Sequence, residues 1–182
     1  ADGLPVTAEV TPHHLSLTEE MLIGFDPIYK VNPPLRSGHD IRALKTGLAD
    51  GTIDAIATDH APHARRDKEL PLDQAPPGML GLETALGVVL AELDIDLPEI
   101  VALLSTNPAT IAGIDRTHGR QLVPTAPANV CVFDPQLSWQ VNPGRLASRS
   151  TNTPFVGRRL RGKVRHTVFH GDAVVIDGET QR

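Results

Sequence analysis

A single cysteine, Cys131, stands among 182 residues, so an internal disulfide is excluded and the composition suits a reducing compartment. It lies in the apolar, strand-like run Asn129 to Phe133, where burial is expected rather than reactivity. Long apolar runs are missing too: none approaches the roughly 18 residues that a membrane span requires. Positive charge is not in excess, since 17 Lys and Arg against 22 Asp and Glu leave a net charge of -5. That balance disfavours nucleic acid or an anionic membrane as the main partner. Internal repeats and low-complexity tracts are absent. No secretory leader is legible, and the expected location is cytoplasmic. What is there, 40% hydrophobic and 21% charged residues, is ordinary for a globular protein. The length suffices for one solid core, one domain and a piece of another.

The chain has no initiator Met. Residues 1–5 read as a loop between elements and Val6 to Val10 begins at once as a strand, so the expectation is a chain that enters in the middle of a fold. Thr11-Pro12 ends that strand, with His13-His14 in the turn. Thr18 is placed to cap a helical turn over residues 19–22. Asn32-Pro33-Pro34-Leu35-Arg36 cannot be helical, because each proline holds the residue before it in extended angles. Ile41, Leu44 and Leu48 recur at helical spacing and Gly51 supplies a stop. A second strand follows over Ile53 to Thr58, giving the strand, loop, helix, strand order of a parallel α/β layer. The cluster Arg65 to Glu69 reads as a solvated face. Residues 81–93 and Leu97 to Leu104 read as apolar helices, and Asn107 to Gly113 as a short helix closed by glycine. From residue 118 short strands alternate with turns (Asn129 to Phe133, Ser138 to Val141, Lys163 to Phe169, Asp172 to Ile176), with a hairpin signal at Gly171-Asp172.

The most informative stretch is Ala57-Thr58-Asp59-His60-Ala61-Pro62-His63. A β-forming lead breaks off at a carboxylate and two histidines, and Pro62 forbids the strand to continue. Two readings stand at this point: Asp59 caps the next turn, or it is delivered to the mouth of a parallel structure to bind a metal or move a proton.

Five segments in order resemble one family: Thr7 to Leu15, Val31 to Arg36, Asp50 to Asp54 running into Ala57 to His63, Pro76 to Thr84, and Asn152 to Phe155. Together they resemble the longer-chain bacterial dihydroorotases of the amidohydrolase superfamily, across essentially the whole chain. The resemblance implies an α/β fold: the C-terminal portion of a (β/α)₈ barrel over residues 1–117, with Val6 to Val10 as its seventh strand and Ile53 to Thr58 as its eighth. Residues 118–182 would be strands of a small composite β-sandwich. It implies one or two Zn²⁺ ions per intact site, with Asp59 as metal ligand and catalytic base. Asn32, His63, Pro77 and Gly78 would bind substrate, the glycine through its backbone. The His-x-His pair, the bridging acidic or carboxylated-lysine ligand and two further histidines of the family lie on earlier strands, so the chain resembles a C-terminal part that is inactive alone. His13 and His14 are expected to hold structure through hydrogen bonds rather than to bind zinc, and His60 to orient its loop. Arg36 is chemically suited to clamp a carboxylate but is expected to anchor its loop, and Glu9 sits near the inferred mouth.

The implied activity is the zinc-dependent interconversion of N-carbamoyl-L-aspartate and dihydroorotate in pyrimidine synthesis, by an enzyme that is homo-oligomeric when intact. Allantoinase and dihydropyrimidinase are enzymatic alternatives with the same chemistry on other rings. A third reading is an inert, dihydroorotase-like scaffold that binds aspartate carbamoyltransferase; Asp59, His63 and Asn32 argue against it.

Overall fold

The computed structural model describes residues 4–181. The first three positions of the loop expected over residues 1–5 lie outside the described residues. Strand β1, Glu9–Val10, pairs in parallel with β2, Ala55–Ile56. Both strands are shorter than their β-branched runs suggest. Val6 is 76% exposed, and with no apolar face to cover it the run at residues 6–8 gains nothing from a strand. Asp54 still extends the pairing, its N–H donating to the Ala8 carbonyl while its carboxylate accepts from the Ala8 N–H.

Between these strands lies helix α1, Gly38–Ala49, opened by a reciprocal capping box between Ser37 and Asp40. It ends where expected, at Gly51 with φ of +76°. The next segment, α2, is a single turn over Arg65–Lys68. Helix α3, Ala85–Glu92, is apolar on all sides, the mark of a helix enclosed by other elements. Its neighbouring residues Val88 and Val89 enter two different cores. Val89 joins Val10, Leu15, Leu48, Ile56, Ile100 and Leu103. Val88 joins Leu35 and Met79 with Val141, Phe155 and Leu160 from the second half of the chain.

Helix α4, Leu97–Val101, runs without a break through a π-helical turn, Ala102–Thr106, into α5, Asn107–Ile111. Two separate helices were expected here. Pro108 has no N–H to offer the Leu104 carbonyl, and the wider turn sits where the α-helical ladder would lose that bond.

The tail forms an antiparallel sheet in the order β3 (Val130–Gln140), β4 (Arg159–Phe169), β5 (Asp172–Ile176), β6 (Glu179–Thr180). Two expected strands are one: β3 runs through residues 134–138 with a shift in register against β4. His170 and Gly171, with φ of 51° and 91°, make the two-residue turn between β4 and β5, and Asp177-Gly178 repeats it between β5 and β6. Cys131 is exposed on β3, against expectation; β3 is an edge strand of this sheet, so an apolar run there is not enclosed.

A polar tie joins the halves as well. The Glu92 carboxylate on α3 accepts from Lys45 at 2.9 Å, from Arg158 at 2.7 Å and from Ser16 at 3.0 Å. Burial alone would raise the Glu92 carboxyl, but these hydrogen bonds hold it below its ordinary value. No helix among the described residues is long and apolar enough to cross a membrane.

Candidate functional site

Because β1 and β2 are parallel, their C-terminal ends open on the same side. Pro12 stops β1 and sends the chain into a 3-10 turn, His13–Leu15. At the other strand, Asp59 takes a left-handed φ of 45°, which turns the chain sharply after β2. Aspartate accepts that conformation more readily than most residues. The result is that Asp59, 45% exposed, stands with Oδ2 at 4.0 Å from Nε2 of His13, a side chain only 2% exposed.

This pair is not an ion pair at neutral pH. Burial, with His14 adding its charge, drives the His13 imidazole down to about 3, so it is uncharged. Its Nε2 is buried and has no hydrogen-bond partner among the described residues. His14 differs: its Nδ1 meets the Thr11 hydroxyl at 2.7 Å, and its Nε2 lies 3.0 Å from the Pro33 carbonyl. The carbonyl can only accept, so His14 donates from Nε2.

The buried neutral His13 carries a consequence for stability. Between pH 6.5 and about 3 the unfolded chain binds a proton at residue 13 that the folded chain refuses, so stability falls as the pH is lowered through that window. Urea unfolding between pH 7 and pH 5 is expected to show this decline. His13→Gln should flatten it; equal slopes in the two proteins would show that residue 13 is not buried neutral.

The loop after Asp59 is zipped to a second strip. His60 bridges to Met79, and the Ala61 N–H donates to the Met79 carbonyl at 2.9 Å. The His60 Nδ1 accepts from the N–H groups of Gly81 and Leu82, at 3.1 and 3.3 Å, which holds the chain as it enters α3. Three of the expected residues meet here. The His63 Nε2 donates to the Pro77 carbonyl at 2.9 Å. Gly78 has φ of +129°, and a Cβ there would stand 2.5 Å from Ala61 Cβ and 2.8 Å from His63 Nε2. Its N–H is engaged with the Lys30 carbonyl at 2.8 Å. Asn32, two residues along from Lys30, is exposed. The Arg36 guanidinium lies 3.8 Å from Asp40 at the start of α1, an anchoring contact.

Two residues of this site carried no assignment from sequence. Asn152 is buried and ties both strips together: its side-chain amide donates to the carbonyls of Ala61 (2.9 Å) and Gly78 (3.3 Å) and accepts from the His63 N–H (3.2 Å). The cue was the Asn-Thr-Pro-Phe segment itself, matched as a motif without a role. The other is Lys68, taken as part of a solvated cluster. It is buried instead, with Nζ on the carbonyls of Pro76 and Gly78 at 3.1 and 3.0 Å.

Asp59 offers an oxygen donor and His13 a free imidazole nitrogen, but among the described residues no three His, Cys, Asp or Glu side chains converge to hold a metal. A catalytic zinc takes three protein ligands. The described residues do not make a zinc site by themselves.

No family model matches the chain. Curated proteins do. The dihydroorotase of Streptomyces coelicolor is 48% identical over 181 residues, and that of Pelotomaculum thermopropionicum 49% identical over 181 residues. In each case the match takes in 97% of this chain and 42% of the relative, so the chain spans about two fifths of the length of the relatives it matches. The similarity to dihydroorotases read from the five motifs thus extends along nearly the whole chain. Among solved structures, the L-hydantoinase (dihydropyrimidinase) from Arthrobacter aurescens superposes with a TM-score of 0.87 at 29% identity, over 97% of this chain and 41% of that one. A D-hydantoinase (dihydropyrimidinase) from Thermus sp. superposes with a TM-score of 0.86 at 22% identity, over 98% of this chain and 41% of that one, a likeness of fold alone. The chain therefore has the α/β fold of part of an amidohydrolase.

Proposed function

We propose that this chain, similar to dihydroorotases along 97% of its length, is a dihydroorotase segment bearing the catalytic carboxylate and part of the substrate cradle of a zinc-dependent cyclic amidohydrolase. The observation that carries this reading is the placement of Asp59: an exposed carboxylate just past the end of a parallel strand, facing a neutral imidazole, on the chain that leads into the Ala61–His63 turn held against the Pro77-Gly78 strip. In this reading residues 1–117 form the last part of a (β/α)₈ barrel, with β1 and β2 as its seventh and eighth strands, and residues 118–182 belong to a β-sandwich. The remaining metal ligands come from the part of the relatives' length that this chain does not span.

Dihydroorotate is a cyclic amide whose ring opens when water adds to the carbonyl carbon and the C–N bond breaks. Zinc, when bound, supplies polarisation of that carbonyl. Asp59 takes a proton from the attacking water at its free carboxylate oxygen and returns it to the departing ring nitrogen, so no charged amide anion is expelled. In the reverse direction it collects the proton of the attacking carbamoyl nitrogen and returns it to the departing hydroxyl, so that the C–O bond breaks with loss of water as the ring of dihydroorotate closes. His63 meets the substrate carboxylate, Asn32 supplies amide hydrogen bonds, and the Pro77-Gly78 backbone lies against the ring, close because glycine carries no side chain. Homo-oligomerisation and a cytoplasmic setting belong to the same proposal, whereas association with aspartate carbamoyltransferase belongs to the scaffold reading.

The test is a substrate panel on the protein extended to the full length of its relatives. Turnover of carbamoyl-aspartate and dihydroorotate is expected, with allantoin, hydantoin and dihydrouracil slower by at least about 100-fold, because a site that pairs with the ring carboxylate of dihydroorotate leaves its own polar groups unpaired with rings that lack one. Preference for hydantoin or dihydrouracil would move the assignment to the hydantoinases. No turnover of any of the five would favour the scaffold reading.

A further inference from the structure

Lys68 is the member of a run of charges that turns inward. On the single turn of α2, Arg65 and Arg66 face solvent with the following Glu69, while Lys68 is only 9% exposed. An ammonium group is seldom buried unless fixed acceptors replace its water. Here the acceptors are backbone oxygens eight and ten residues further on, those of Pro76 and Gly78. They flank Pro77, whose own carbonyl receives the His63 Nε2. Three successive carbonyls are thus tied down, the outer two by one lysine. The strip shares two further ties at Gly78, its N–H on the Lys30 carbonyl and its carbonyl under the Asn152 amide, but it has few means of its own to hold its course: Pro77 has no N–H, and Gly78 has no side chain and a φ that other residues avoid. Lys30 holds the preceding part of the same loop, its ammonium on the carbonyls of Leu72 (2.7 Å) and Asp73 (3.3 Å). Burial first, and the charge of Lys30 second, lower the Lys68 pKa, as expected of an ammonium that has exchanged water for carbonyl dipoles.

We propose that Lys68 is a positioning residue for substrate binding, holding the Pro77-Gly78 strip and, through the Pro77 carbonyl, the ring of His63 at the geometry the substrate meets. This rests on the reading of that strip as part of the substrate cradle. Lys68 acts on the binding strip, whereas proton transfer belongs to Asp59 at the end of β2. Its loss therefore falls on binding and spares the chemical step.

The experiment compares Lys68→Met and Lys68→Arg with the unaltered full-length enzyme in dihydroorotate hydrolysis, with zinc content and unfolding midpoint measured alongside. Lys68→Met is expected to raise KM by about 10-fold or more while kcat stays within about 3-fold, the pattern of lost ground-state binding. Lys68→Arg, which keeps charge and donors, should recover part of the KM. A KM within about 2-fold of the unaltered enzyme, or a parallel loss of kcat and zinc, would overturn the proposal. If Lys68→Met does not fold, the same KM-against-kcat split is read in Lys68→Gln, which retains one amide donor group. Failure of both to fold would make Lys68 purely structural and equally overturn it. Absence of dihydroorotate turnover in the unaltered enzyme would instead refute the functional reading on which the test stands.

Discussion

Asp59→Asn in the full-length enzyme is expected to lower kcat for dihydroorotate by on the order of 10³-fold, about 4 kcal/mol of transition-state stabilisation. Asparagine is the informative replacement because it tolerates the left-handed φ of 45° that Asp59 adopts. The chain can therefore turn after β2 as before, and what is lost is the carboxylate itself, with its charge toward the metal and its capacity to take a proton. The exposed side chain adds little to the core, so the unfolding free energy should change by no more than about 0.5 kcal/mol. Steady-state kinetics with a denaturation curve on the same sample check both halves. A kcat within about 10-fold of the unaltered enzyme would remove Asp59 from the proton pathway.

Gly78→Ala carries the largest expected cost in stability. A methyl group there would meet Ala61 Cβ at 2.5 Å and His63 Nε2 at 2.8 Å, and a φ of +129° is hostile to any side chain. Strain and overpacking together are expected to cost about 2–5 kcal/mol. The strip can escape only by swinging away from the Ala61–His63 loop, which breaks the hydrogen bonds of Asn152 and Lys68 to the Gly78 carbonyl. Either way, binding of dihydroorotate should weaken by about 100-fold or more, the effect of misplacing a positioning group by about an ångström. Unfolding and KM measurements that both match the unaltered enzyme would show that the strip does not stand against His63 as described.

The parts of the fold legible in the sequence are those set by neighbours in the chain. The spacing of Ile41, Leu44 and Leu48 places α1, Gly51 ends it, and the hairpin signalled by Gly171-Asp172 is present, its two turn residues being His170-Gly171, one position earlier. The exit of β2 at Asp59 is local as well, since a strand-forming run meets a proline three residues later. What could not be read depends on partners far along the chain. The Asn152 amide reaches the Ala61 carbonyl across 91 positions, and nothing near residue 152 announces that use. Lys68 shares its charge with solvent-facing neighbours, and polarity alone does not tell an ammonium bound by carbonyls from one bound by water. Cys131 fails in the opposite sense: an apolar run reads as buried, but the sheet has an edge, and the strand that holds this thiol lies there.

Asn152 gives the tail a hand in the geometry of the loop that follows Asp59. Exchange of residues 118–182 between related proteins would therefore not be a neutral swap of an outer module. It would transplant the peg that ties the Ala61–His63 turn to the Gly78 strip. If that strip is the proposed substrate cradle, divergence in ring preference among such proteins would have a route through a segment remote from the proposed chemistry.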